Sequence, residues 1–243
     1  MSISIENKVA LVTGANRGIG KAIVESFLKH GAKRVYLAVR DINSTKELED
    51  AYGDKVVTVQ ADVSSTESIN ALAQQTNDVE IVVNNAGIGN PQGTLGEDVE
   101  KDFENQLKVN AFGLLRVANA FAQTLEDKKG ALVQLNSIAS MKNFSQLSTY
   151  SASKAASYSL TQGLRTELGP KGVSILSVHP GPIDTDMAAT AGFENASSTT
   201  DVSEGIMKAL EAGDFHLFPD EMAQQVESAY EGFSENVVLA DFS

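Results

Sequence analysis

The feature that most constrains this chain is its alternation of short, β-branched apolar runs with longer helical patterns. Such runs occupy residues 8–12 (KVALV), 34–39 (RVYLAV), 55–59 (KVVTV), 79–83 (VEIVV), 131–135 (ALVQL) and 173–178 (VSILSV). Between them, Ile19, Ile23, Phe27 and Leu28 recur at helical spacing. Longer helices are predicted over 97–109, 111–127 and 149–168, with a polar helix over 44–52. Strands that read as nearly unbroken Val/Ile/Leu are buried on both faces, as in a parallel sheet covered by helices. Right-handed crossovers then give an α/β, doubly wound sheet of about seven strands. The seventh strand is expected at 214–218, before a helix over 221–233.

No linker, repeat or low-complexity tract divides the chain, so residues 1–243 are expected to form a single domain. The 42% hydrophobic content suffices for one core. With no cysteine there is no disulfide framework, thiol nucleophile or zinc–thiolate site. The net charge of −13 argues against a nucleic-acid groove and against anionic membrane surfaces. No basic-then-apolar leader opens the chain and no run approaches the roughly 18 residues of a spanning helix, so a cytoplasmic protein is expected. The stretch 188–200 (AATAGFENASSTT) reads either as a plain surface loop or as a small lid.

The first strand runs into Thr13-Gly14-Ala15-Asn16-Arg17-Gly18-Ile19-Gly20, and a helix begins inside that turn. Gly14 allows the tight turn, Gly18 lets backbone approach a pyrophosphate, and Gly20 lets the helix pack on the strand. The helix N-terminus offers N–H groups to an anion. Alone this is only a strand-to-helix turn; its place after the first strand points to a dinucleotide. An acidic residue after the second strand suits the ribose hydroxyl of NAD, an arginine the 2′-phosphate of NADP. Here Arg40 stands at that place, with Arg17 as a second guanidinium, which favours NADP(H) over NAD(H). The competing reading is a surface Arg40 paired with Asp41.

Tyr150 and Lys154 are spaced i, i+4 and share a helix face. A free tyrosine titrates near pH 10, so proton transfer near neutrality needs a neighbouring cation, and Lys154 is placed to act as one. Ser137 ends the fifth strand, on the edge where parallel sheets present ligands, and is suited to orienting a carbonyl oxygen. It sits in no G-x-S-x-G elbow. His30, His179 and His216 lack metal-ligand spacing, and no metal is expected.

These motifs, with Asp62-Val63, Asn84-Asn85-Ala86-Gly87, Asn110 and Pro180-Gly181-Pro-Ile183-Asp-Thr185, lie in an order that resembles the short-chain dehydrogenase/reductases along nearly the whole chain. The resemblance implies a Rossmann-type domain with a substrate lid and hydride exchange between NADP(H) and a small carbonyl compound or alcohol. It implies Tyr150 as catalytic acid and base and Ser137 as partner of the substrate oxygen. Lys154 would lower the Tyr150 pKa and hold the nicotinamide ribose, and Asn110 would keep a relay water beside Lys154. Gly14, Asn16, Arg17, Gly18, Ile19, Gly20 and Arg40 would take the phosphates, and Asp62 and Val63 the adenine end. Asn85, Ala86 and Gly87 would line the ribose side, and Pro180, Gly181, Ile183 and Thr185 would approach the carboxamide. Each has a bland alternative: Asp62 as a helix cap (which Ser64 fits better), residues 84–87 as a turn, Asn110 as a break between helices, Pro180-Gly181 as a strand end. Phe144, Leu147, Met187 and Phe193 are candidate substrate walls, or ordinary core or surface residues. Many relatives end in a glycine-rich strand at a tetramer interface. This chain departs there, so a homodimer through 111–127 and 149–168 is expected, a tetramer being the alternative.

Overall fold

The computed structural model describes residues 2–193 and 196–240. Seven parallel strands form one sheet: β1 (Val9–Thr13), β2 (Arg34–Val39), β3 (Val56–Gln60), β4 (Ile81–Asn84), β5 (Ala131–Leu135), β6 (Ser174–Val178) and β7 (His216–Leu217). Their order across the sheet is β3-β2-β1-β4-β5-β6-β7. From β1 the chain adds β2 and β3 on one side, then returns to place β4 on the other. The sheet therefore switches direction between β1 and β4, where such sheets open a ligand crevice at their carboxyl ends.

Alternation along each strand sends successive side chains to opposite faces. In β1, Ala10 and Val12 join one core cluster and Val9 and Leu11 the other. The first face is covered by α1 (Gly18–Lys29), α2 (Lys46–Tyr52) and α8 (Thr199–Ala212), through residues such as Phe27, Leu48 and Ile206. The second is covered by α3 (Thr66–Gln75), α5 (Phe112–Lys128) and α6 (Ser148–Leu168), through Leu72, Phe121 and Tyr158. The helix α4 (Val99–Asn110) packs against α5 and α6. Burial on both faces is why these strands read as unbroken apolar runs.

The structure adjusts several boundaries. The polar helix expected over 44–52 divides into a 3-10 turn (Ile42–Thr45), capped by the Asp41 carboxylate, and α2. Val79 turns back to the Thr76 carbonyl, so β4 begins two residues later than its apolar run. The seventh strand shrinks to two residues. Ser65, not Asp62 or Ser64, caps α3 by accepting the Ser68 N–H. Helices enter the stretch 188–200 from both ends. It continues α7 (Asp186–Thr190), returns at Ser197 to bridge Ile183, and enters α8 at Thr199. Glu194 and Asn195 of that stretch lie outside the described residues. Among the described residues no helix is long and apolar enough to cross a membrane, and no cluster of His, Asp and Glu suits a metal.

Candidate active site

A polar belt stabilises the carboxyl end of the sheet. The Thr13 hydroxyl donates to Asn84 Oδ1, Asn84 Nδ2 to Gln134 Oε1 at 2.7 Å, and Gln134 Nε2 to Ser157 Oγ. Thr13 Oγ1 also accepts the N–H groups of Asn85 and Ala86, both at 3.0 Å. Buried polar groups persist where they are paired, and here the pairing fixes the turns after β1 and β4 against each other. Asn85 finishes the clamp by donating to the carbonyls of Thr13 and Gly14.

A cleft of about 1,100 Å³ opens above this belt. All the residues given catalytic or cofactor roles from sequence line it except Asn110. Its floor is the glycine turn, where Gly14 and Gly18 hold φ of +66° and +52°. A Cβ on Gly20 would stand 2.1 Å from the Gly14 carbonyl oxygen, so only glycine lets α1 start this close to β1. The Arg17 side chain makes no capping bond, which leaves the first N–H groups of α1 directed at the cleft. A Cβ on Gly18 would lie 3.0 Å from Thr185 Cγ2, so backbone alone lines this cradle. An uncapped helix start in a narrow glycine cradle fits the pyrophosphate of a dinucleotide.

The two arginines differ. Arg17 pairs with Asp186 of α7 at 2.5 Å, an exposed contact across the cleft mouth. The Arg40 guanidinium has no carboxylate partner among the described residues, and Asp41, the alternative partner, is engaged in its own cap. In Asp62 burial works to raise the carboxyl pKa, but the Ser64 backbone and side chain hydrogen bonds outweigh it, with Arg40 adding to the net lowering.

Tyr150 and Lys154 stand on the first turns of α6, and Ser137 follows β5. Ser137 Oγ accepts the Ala139 N–H at 3.1 Å and donates to the Pro180 carbonyl at 3.3 Å. Lys154 is buried, donates to the Leu135 carbonyl at 2.7 Å, and lies 5.8 Å from the Tyr150 ring centroid. Its desolvation brings the ammonium down to about 8. Burial pushes the Tyr150 phenol up to about 12, while the neighbouring Ser137 hydroxyl works the other way. The expected acidification of Tyr150 by Lys154 is therefore not met in the chain alone. Burial of the phenol sets that direction, and the Lys154 ammonium donates to the Leu135 carbonyl rather than to the phenol.

Asn110 ends α4 and is buried, with its oxygen accepting the Ile88 N–H and its amide donating to the Ile88 carbonyl and Ser153 Oγ. It reaches the site through Gly87, where a Cβ would meet both Asn110 Oδ1 and Lys154 Nζ. His179 fills the end of β6 beneath Ser137. Its Nε2 faces Ser177 Oγ at 2.7 Å and its Nδ1 faces Ser140 Oγ and the Ser137 carbonyl.

Sequence reasoning missed Thr13 and Asn84 as clamps, Gly89, whose Cβ would stand 3.0 Å from the Tyr150 ring, and Met222 of α9 (Glu221–Phe233). A polar residue at a buried strand end was the available signal for the first two. Nothing local marks Met222, which joins the cleft by tertiary packing alone.

Comparison with known proteins matches residues 8–195 to the short chain dehydrogenase family. The chain is 33% identical over 220 residues to an uncharacterised oxidoreductase of Staphylococcus saprophyticus, covering 86% of this chain and 93% of that one. A short chain dehydrogenase from Burkholderia cenocepacia, solved in complex with NADP, is 31% identical, with a TM-score of 0.88 over 98% of this chain and 100% of its own. A 3-ketoacyl-(acyl-carrier-protein) reductase from Brucella melitensis, complexed with NADH, is 26% identical, with a TM-score of 0.78 over 85% of this chain and 92% of its own. With its glycine turn, its switch-point cleft and its Ser137, Tyr150 and Lys154 gathered at one sheet edge, the chain belongs to the short-chain dehydrogenase/reductase family of oxidoreductases, whose fold holds a nicotinamide cofactor.

Proposed function

We propose that this protein is an NADPH-dependent carbonyl reductase, reversible as an alcohol dehydrogenase. The observation that carries the reading is the convergence of Ser137, Tyr150 and Lys154 on the cleft that begins at the glycine turn. When bound, the nicotinamide supplies hydride to the carbonyl carbon. The chain's own residues do the rest. Ser137 Oγ, held by the Ala139 N–H, turns its proton from the Pro180 carbonyl to the substrate oxygen and sets that oxygen against the phenol. Tyr150 gives that oxygen its proton and takes it back in the reverse direction. With a pKa near 8, Lys154 is mainly an ammonium at pH 7, which favours the phenolate left behind. Asn110 holds the Ile88 segment and Ser153, and with Lys154 it crowds the space a side chain at Gly87 would need.

The preference for NADPH is supported by Arg40, a guanidinium without an acidic partner among the described residues at the adenine end, and by the NADP bound in the Burkholderia relative. Arg17 gives weaker support, because its guanidinium is turned to Asp186. The competing readings are an NADH enzyme and a sensor that binds cofactor without turnover. We also propose a homodimer through α5 and α6 acting in the cytoplasm; light scattering should then give twice the chain mass.

Reduced-nicotinamide consumption over a carbonyl panel tests the central reading. Tyr150→Phe should lose a factor of about 10² to 10⁴ in rate while retaining cofactor affinity. If wild type and variant bind cofactor and neither turns over, the sensor reading wins. Removing a charge-assisted bond worth about 1.5–3 kcal/mol predicts that Arg40→Ala raises the Kd for NADPH roughly 10- to 100-fold and leaves NADH unaffected. Equal affinity for NADH in wild type, unchanged in the variant, overturns the NADPH preference.

A further inference from the structure

Three large apolar side chains stay exposed at one end of the cleft. Met187 is 41% exposed, Phe193 42% and Met222 45%, yet all three line the cavity that contains Tyr150 and Ser137. Phe144 and Leu147 line it as well. Exposed apolar side chains that line a concave site mark a binding surface. The three come from separate places: Met187 from α7, Phe193 from the segment after it, Met222 from α9.

Asp220 explains why Met222 is there. Its carboxylate is buried and works in two directions. Oδ1 accepts the Ala223 N–H at 3.0 Å and caps α9, while Oδ2 accepts the Gly181 N–H at 2.7 Å. One side chain thus ties the start of α9 to the turn that follows β6. The fit is close: a Cβ on Gly181 would stand 2.6 Å from Asp220 Oδ1 and 3.3 Å from Met222 Cβ. Ala223, fully buried, packs with Ile138 and Phe218 directly after Ser137.

The charges at this end are one-sided. The cations lining the cleft are Arg17, Arg40, Lys108 and Lys154. Arg17 is paired with Asp186 and Lys154 is bonded to Leu135, while Arg40 and Lys108 both act on Asp62 at the adenine end. Asp184, three residues before Met187, also lines the cleft, whereas the charge of Asp186 is matched by Arg17. A carboxylate or phosphate on the substrate would meet apolar surface and like charge, with desolvation uncompensated.

We propose that this end of the cleft takes an uncharged, predominantly apolar ketone or aldehyde, gripped by Met187, Phe193 and Met222, and that Asp220 is a positioning residue that holds Met222 in place. The proposal rests on the carbonyl-reductase reading. It distinguishes this site from one built for thioesters on a phosphate-bearing carrier arm.

The test is a series of neutral 2-alkanones of growing length, with an oxo acid matched to the longest member and a 3-oxoacyl coenzyme A thioester, each followed by NADPH consumption. In wild type, kcat/KM should rise about fourfold per added methylene until the apolar wall is covered. The oxo acid and the thioester should be at least about tenfold poorer than the matched ketone. Met222→Ala should lower kcat/KM for the longest ketone about tenfold, mainly through KM, with a smaller change for the shortest. Asp220→Ala should show the same length-dependent loss, and Asp220→Asn, which keeps an acceptor, should recover most of it. Should Asp220→Ala fail to fold, Met222→Ala and Met222→Lys carry the test. A flat response to chain length, or a thioester or oxo acid favoured tenfold, overturns the substrate class and leaves the reductase reading standing. Absence of turnover with every carbonyl, while cofactor binds, overturns both.

Discussion

His179 shows how much one side chain can decide at the end of a strand. Fully buried, stacked on Phe218 and edge-on to Tyr158, it has both ring nitrogens engaged. Burial first, then His216, brings its pKa down to about 3. A base depressed in the fold binds its proton more readily when unfolded, so stability is full above the unfolded value near 6.5 and falls as pH drops toward 3. At pH 5 this one residue should cost about 2 kcal/mol, read as a falling Tm between pH 7 and 5. His216, lowered to about 4 by burial and Arg165, adds to the same slope. In His179→Gln the slope should flatten markedly; an unchanged slope would assign it to other groups. Removal of His179 should also loosen the Ser137–Ser140 turn that its Nδ1 faces.

At the scale of elements, burial outweighs charge. The helices α1 and α8 lie side by side. Glu204 of α8 accepts from Lys29, His30 and Ser26 at the end of α1, and Lys29 foremost keeps its carboxyl down at about 2. That cluster faces solvent, so Glu204→Gln should cost no more than about 1 kcal/mol. Phe27, fully buried between α1 and the sheet, should cost about 3–5 kcal/mol as alanine. Urea melts of the two variants compare the terms directly; similar costs would mean that the ion cluster, not the core, fastens these helices. Gly20→Ala attacks the same packing from inside. Its Cβ has no room beside the Gly14 carbonyl, so α1 must move off β1. The expected result is at least a tenfold weaker cofactor affinity together with a lower Tm, measured by nucleotide fluorescence and thermal melts.

For the whole molecule, a net charge of −13 surrounds the cleft in which Arg17 and Arg40 lie. Salt screens exposed pairs, so NADPH affinity should weaken between 50 and 500 mM salt more than NADH affinity does. Equal salt dependence would place the 2′-phosphate away from Arg40. The strands and their parallel, two-sided burial were legible in the sequence, because valine- and isoleucine-rich runs between helices have few other ways to hide their apolar faces. The glycine turn was equally legible, since the backbone conformations at Gly14 and Gly18 restrict the residue type locally. So was the face shared by Tyr150 and Lys154, which helical spacing dictates. Three things were not. The Tyr150 pKa depends on burial and on the Ser137 hydroxyl, which comes from another element. The partner of Arg17 is Asp186, brought across the cleft by α7. The lining of the cleft includes Met222, beside an Asp220 carboxylate whose partner Gly181 belongs to a different loop. Sequence determined what each segment becomes, because propensity and patterning act over a few residues. Tertiary structure alone decided protonation, pairing and the shape of the pocket, because desolvation and charge depend on which distant segments come within a few ångströms.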